Sequence, residues 1–271
     1  MDFLFITWDI SPEIFSIGPI SIRYYGVLFA SGFIIGQYLM TWFFKMEKRS
    51  LDHLEQLLIW MVLSTIIGAR LGHCLFYEPE YYLSQPWKIL FVWEGGLASH
   101  GATVAMLLGV YLFSRKYPEF SWFYLLDRLV ITVALGAGFI RLGNLMNSEI
   151  VGKPTDVPWG FIFRQNLTPE GFPEDFARHP SQLYEAIFYF ALFVFLLFMY
   201  LQMKEKTPNG RIFGWLVVLI FTQRFLIEYT KENQVAFESS LPLNMGQMLS
   251  IPLIVFGGYV LYRSYTKPLT I

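Results

Sequence analysis

Seven stretches of the chain, at about 19–44, 54–77, 95–114, 121–146, 181–203, 210–229 and 245–265, are long and apolar enough to cross a lipid bilayer. A hydrocarbon core of about 30 Å needs roughly 20 helical residues. Only helices and closed barrels satisfy their backbone hydrogen bonds at that depth. The expected fold is therefore an all-α integral membrane protein of seven transmembrane helices, forming one membrane domain. Composition agrees, with 55% hydrophobic, 19% aromatic and 15% charged residues. A formal net charge of -1 gives no reason to expect nucleic acid as a partner. Cys74 is the single cysteine, so a disulfide or a cysteine redox pair within the chain is excluded. The amino terminus has no basic n-region and carries Asp2, Asp9, Pro12 and Glu13; it reads as an interfacial arm rather than a cleavable signal peptide.

Orientation follows from lysine and arginine, which cytoplasmic flanks carry in excess. Ten flank one set of ends: Lys45, Lys48, Arg49, Arg115, Lys116, Lys204, Lys206, Arg211, Arg263 and Lys267. Five are spread over the longer opposite segments: Lys88, Lys153, Arg164, Arg178 and Lys231. The amino terminus is thus expected outside and the carboxyl terminus in the cytoplasm. The segment 147–180, rich in Pro, Gly and acid, becomes a small external cap between spans 4 and 5.

The five remaining basic residues, Arg23, Arg70, Arg128, Arg141 and Arg224, lie within the spans, and all are arginine. An arginine at a helix centre costs at least ~2.5 kcal/mol on insertion scales, so each is a candidate functional residue. Arginine suits a site where a planar fork must hold phosphate or carboxylate. Arg128 follows Asp127 at the inner end of span 4, and the two read as a structural or interfacial pair. The other four share the outer leaflet with His100, Asn144, Glu149 and Glu228. Taken against Glu149, Glu228 and an edge Glu94, those arginines leave a modest positive excess at headgroup depth. An anionic ligand fits, and lipid phosphate is the obvious one. Arg141 and Asn144 are three apart and project together, either onto one ligand or onto each other. Arg224 and Glu228, four apart, read equally as half of a site or as a self-neutralised pair. His100, beside glycines in WEGGLASHGA, is either a packing histidine or part of the cluster.

The strings RYYG (23–26), GARLGHCLFY (68–77), VWEGGLASHGA (92–102), GAGFIRLGNLMNSEIVG (136–152), RHPSQLYEA (178–186), RFLIEY (224–229) and MGQMLSIP (245–252) resemble, in order, the motifs of the prolipoprotein diacylglyceryl transferase family. The resemblance covers nearly the whole chain. It implies a multi-pass enzyme of the bacterial cytoplasmic membrane, with an external amino terminus and its active site toward the periplasmic leaflet. The implied reaction moves the sn-1,2-diacylglyceryl group of phosphatidylglycerol to the lipobox cysteine thiol of a preprolipoprotein. That step opens lipoprotein maturation, releases glycerol phosphate and uses no cofactor or metal.

Such a reaction needs a base, since the thiolate is the nucleophile, and fixed positive charge for the departing phosphate. His100 is the candidate base, because imidazoles as a class titrate near neutral pH. Arg141 and Arg224 are the candidate clamp, with Glu228 beside Arg224. The resemblance further assigns Asn144, Glu149, Gly152 and Tyr25 to lipid binding, where Tyr25 reads equally as an interfacial tyrosine. Arg70 joins them by depth. Asn147, Arg178, His179, Ser181, Gln182, Tyr184 and Gln247 take supporting positions. Two positions depart from the family pattern: Ile220 replaces a tyrosine, and Lys231 replaces an arginine and so keeps charge without the fork. The alternative from another class is an anion transporter or channel with an arginine-lined site, but no inverted repeat is evident.

Overall fold

The computed structural model describes residues 5–18, 20–167, 171–232 and 241–266, apart from the side chains of Ile20 and Glu94. Asp2, Lys267 and the Glu94 side chain, all used in the sequence reading, lie outside what is described. The described chain is mostly helical, and its elements run as short strands β1 (Ile6–Trp8), β2 (Glu13–Ile17) and β3 (Ile20–Arg23), then helices α1 (Tyr24–Met46), α2 (Leu51–Phe76), α3 (Pro79–Ser84), α4 (Ser99–Lys116) and α5 (Trp122–Met146). Strand β4 (Phe161–Phe163) and helices α6 (Ser181–Met203), α7 (Arg211–Ile227) and α8 (Met245–Thr266) complete it. Six of these helices, all but α3 and α4, are long and apolar enough to cross a membrane. The expected third span, 95–114, corresponds to α4, which has 18 residues and begins four residues later than its apolar window suggests. The delay has a local cause. Residues 92–94 form a 3₁₀ turn, and Gly95 (φ +90°) and Gly96 (φ +67°) break the path into the helix.

Two compact units divide the chain, one from Met1–Met40 and Asp127–Leu269, the other from Thr41–Leu126. In the second unit α2 packs along α4 through small residues. A Cβ on Gly101 would lie 2.7 Å from the Gly72 Cα, so these backbones approach as only glycine permits. In the first unit the same device joins α7 to α8, where a Cβ on Gly257 would meet Val217 at 2.9 Å. Gly32 faces the Gly136 Cα of α5 in the same way, at 3.3 Å from its added Cβ.

Asp127 and Arg128, both fully buried, prove structural. Asp127 Oδ2 accepts from the Gly210 N–H at 2.7 Å and Oδ1 from the Phe213 N–H at 2.8 Å, which caps the start of α7. A helix N-terminus leaves such donors unpaired and favours an anion. Arg128 donates to the Lys204 carbonyl just past the end of α6, at 3.3 Å, where a cation is favoured.

Short strands qualify the all-α expectation. β1 pairs in parallel with β4, with Ile6 opposite Phe161 and Trp8 opposite Phe163, and β2 pairs antiparallel with β3. Trp8 donates from Nε1 to the Leu145 carbonyl at 3.1 Å and stacks on Phe161. Phe161, Phe163 and Leu145 form a small buried cluster with Val151 and Leu183 against it. The amino-terminal arm thus clamps the segment 147–180 to the end of α5, where the polar residues begin.

Candidate active site

The last turn of α5 closes with Asn147 N–H to the Gly143 carbonyl and Ser148 N–H to Leu145, each at 3.0 Å. Ser148 (φ +53°) and Ile150 (φ +58°) then take the left-handed conformation. For a β-branched residue such as Ile150 this is a genuine outlier, and strain of about 1–3 kcal/mol of this kind concentrates at functional sites. The turn folds Glu149 back onto the helix. Asn144 Nδ2 donates to Glu149 Oε1 at 2.8 Å, and Asn147 Nδ2 donates to the same oxygen at 3.2 Å. The Arg141 guanidinium donates to Asn144 Oδ1 at 3.3 Å, so the fork and amide converge on each other. Tyr25 lies over Gly143, where a Cβ would fall 2.6 Å from its ring, within electrostatic reach of Glu149 and Arg141.

Helix α6 supplies what the sequence reading missed. Glu185 is 2% exposed, with Oε2 3.1 Å from Arg141 Nε and Oε1 3.1 Å from Lys231 Nζ. One turn on, the buried Tyr189 lies within electrostatic reach of Arg141, Arg224 and Glu185. Ser181, Gln182, Glu185 and Tyr189 form one buried face of α6. Polar residues at that spacing in an apolar helix are the signal that could have revealed it. The positive excess expected at this depth is corrected accordingly. Glu185 adds a carboxylate to that balance: in the first unit Arg141, Arg224 and Lys231 stand against Glu149, Glu185 and Glu228, while Arg23 pairs with Glu13 and Arg70 lies in the second unit.

Arg224 keeps 40% of its side chain exposed and approaches Glu228 Oε1 only to 3.8 Å. Glu228 is buried against the start of α8, where it accepts from Asn244 Nδ2 at 3.1 Å and an added Cβ on Gly246 would meet it at 2.5 Å. Asn244 and Gln247 cap each other reciprocally. The Gln247 N–H donates to Asn244 Oδ1 at 2.9 Å, and the Asn244 N–H donates to Gln247 Oε1 at 3.2 Å. Gln247 Nε2 also reaches the Phe225 carbonyl at 3.3 Å, tying α8 to α7. The positive end of α8 therefore shares Glu228 with Arg224, as Lys231 shares Glu185 with Arg141. Among the described residues, neither arginine has a carboxylate to itself.

The supporting residues hold the segment 147–180. Arg178 forms a bidentate pair with Glu174 at 2.7 and 2.8 Å, and bonds Glu232 at 2.8 Å and the Gly152 carbonyl at 3.2 Å. These carboxylates raise its pKa further. A Cβ on Gly152 would strike Ser181 Oγ at 2.5 Å and the Thr230 carbonyl at 2.6 Å, so the residue is required for close packing. Gln182 donates to the Glu149 carbonyl at 2.7 Å. Trp159 Nε1 donates to the Tyr184 hydroxyl at 2.9 Å, which meets His179 Nδ1 at 3.2 Å. Burial lowers the His179 pKa.

Arg70 and His100 belong to the second unit. Arg70 is 2% exposed, and its fork faces backbone: Nε to the Ile89 carbonyl at 2.9 Å, and the terminal nitrogens to Lys88 at 2.6 Å and Gly95 at 2.5 Å. It also lies over the Tyr82 ring at 5.0 Å. Gly96 sits at positive φ, where a Cβ would lie 2.5 Å from the His73 ring and displace it. Arg70 thus shapes the loop that leads into α4, a contact set unlike the phosphate-facing one expected of it. His100 is the second residue of α4 and is exposed.

A family model described as prolipoprotein diacylglyceryl transferase matches residues 12–263. This chain belongs to the prolipoprotein diacylglyceryl transferase family. A relative from Chloroherpeton thalassium is 49% identical over 96% of this chain and 94% of its own length. Others from Tolumonas auensis and Nitrosomonas europaea are 46% and 36% identical, over 92% and 94% of this chain and 94% and 90% of their own. All three are named phosphatidylglycerol–prolipoprotein diacylglyceryl transferase. The transporter alternative finds no support among these diacylglyceryl transferase relatives.

Proposed function

We propose that the chain transfers the diacylglyceryl group of phosphatidylglycerol to the lipobox cysteine thiol of a prolipoprotein. Family membership supports the reaction class, and the names of its relatives supply both substrates. The observation that carries the reading to particular residues is the held guanidinium of Arg141, braced by Asn144 and Glu185 at the polar end of an apolar helix. In the reaction the thiol gives its proton to a base, and sulfur forms a bond to the glycerol carbon that bears the phosphodiester. The carbon–oxygen bond breaks, and its electron pair leaves with the phosphate as glycerol phosphate. Fixed cations matter most for that departing charge, which is the role of Arg141 and Arg224. Asn144, Glu149 and Tyr25 shape the headgroup site around Arg141. His100 is the base on the resemblance alone. Arg70 serves by holding the loop before α4.

In this reading α4, about 27 Å long at 1.5 Å per residue, is the third of seven spans. The amino terminus and the cap 147–180 face the periplasm, the carboxyl terminus faces the cytoplasm, and the site opens to the outer leaflet of the inner membrane. The decisive experiment incubates the purified protein with phosphatidylglycerol and a synthetic lipobox peptide. The expected result is a peptide mass increase of one diacylglyceryl thioether with matching release of glycerol phosphate. An unmodified peptide, or lipid cleaved without thioether formation, would overturn the proposal.

A further inference from the structure

Glu185 is shared unequally. Lys231, itself 7% exposed, donates a hydrogen bond from Nζ to Oε1 at 3.1 Å. Oε2 is 3.1 Å from Arg141 Nε, yet makes no aligned hydrogen bond. The lysine holds the carboxylate by charge and hydrogen bond together, whereas the arginine holds it by charge alone. A buried carboxylate with one cationic partner binds it tightly, so without Lys231 the guanidinium would be committed to Glu185. With Lys231 present the carboxylate is already neutralised. Arg141 remains oriented by it and is still able to exchange it for another anion, with Asn144 as a second brace.

We propose that Glu185 and Lys231 are positioning residues that govern how readily Arg141 passes from carboxylate to lipid phosphate. Glu185 sets the direction of the guanidinium before lipid binds, and Lys231 sets the strength of the competition that the phosphate must overcome. The inference rests on the reading of Arg141 as a phosphate-binding residue, and it explains why a lysine suffices at 231. A single hydrogen bond to one carboxylate oxygen asks for a point charge rather than a fork.

The test measures transfer kinetics with phosphatidylglycerol varied in mixed micelles, alongside equilibrium binding of acyl-labelled phosphatidylglycerol. Lys231→Met should raise both KM and Kd about tenfold, the size of coupling found between neighbouring charges, with kcat within about threefold. Adding Glu185→Gln to Lys231→Met removes the competitor, and KM and Kd should return to the wild-type range or below. A merely structural bridge predicts instead a loss of thermal stability in Lys231→Met that the double variant relieves, with the Kd of the folded protein unchanged in both. Unchanged lipid affinity in Lys231→Met, or no recovery in the double variant, would overturn the proposal. Should Lys231→Met fail to fold, the double variant decides alone: wild-type affinity supports the idea and a tenfold loss defeats it. Absence of transfer by the wild-type protein would instead defeat the proposed function, because the Lys231 series reads lipid affinity separately.

Discussion

Arg141 shows how far a single residue can be read from sequence. Its depth, its identity as arginine and its three-residue spacing from Asn144 are all local properties, and the contact between the two follows from helix geometry. Its pairing with Glu185 does not, because that depends on how α5 and α6 are rotated against each other. Replacing the fork by a point charge should be costly. Arg141→Lys is expected to lower kcat/KM for diacylglyceryl transfer by about 10²-fold, the loss typical of one transition-state charge contact. Near wild-type turnover would remove the bidentate role. His179 gives a pH dependence whose sign follows from its burial. Its pKa is lowered in the folded protein, so its contribution is present above the ordinary value of 6.5 and lost as pH falls through the lowered one. Below pH 6.5 the protein should lose thermal stability in detergent, and His179→Gln should flatten that loss. An identical acid limb in the variant would exclude His179 as its source.

At the scale of elements, the helices were legible and the strands were not. Apolar windows placed α5 through α8 within two residues of their observed ends, because hydropathy and basic flanks are carried by contiguous sequence. β1 and β4 are three residues each and pair across most of the chain, so neither has a periodicity to detect. The start of α8 is a different kind of omission. Asn244 and Gln247 form an N-x-x-Q capping pair directly before an apolar run, a readable signal, and its consequence is the placement of Glu228. Asn244→Ala should cost about 1 kcal/mol of stability through the cap. Because Glu228 would then press harder on Arg224, KM for phosphatidylglycerol should also rise. A stability change with unaltered KM would confine Asn244 to capping.

For the whole molecule, topology is the property that sequence addresses best and contact geometry least. The lysine and arginine asymmetry predicts that residue 165 faces outward and residue 206 inward. In a Cys74→Ser background, Gln165→Cys should label with an impermeant maleimide on intact spheroplasts and Lys206→Cys only after lysis. Reversed labelling would move the site to the other leaflet. The background itself should retain activity, since Cys74 is fully buried in α2 and needs no chemical role. By itself the sequence determined that the protein lives in a membrane, where its helices run, and which helix ends carry charge, because each depends on local composition summed along the chain. Beyond the i,i+4 pair of Arg224 and Glu228, tertiary structure decided which charge meets which. It gave Arg70 to its own loop, Asp127 to the start of α7 and Glu185 to both Arg141 and Lys231. The physical reason is that a buried charge takes whichever partner helix packing brings within about 4 Å, and packing is set by residues far apart in the chain.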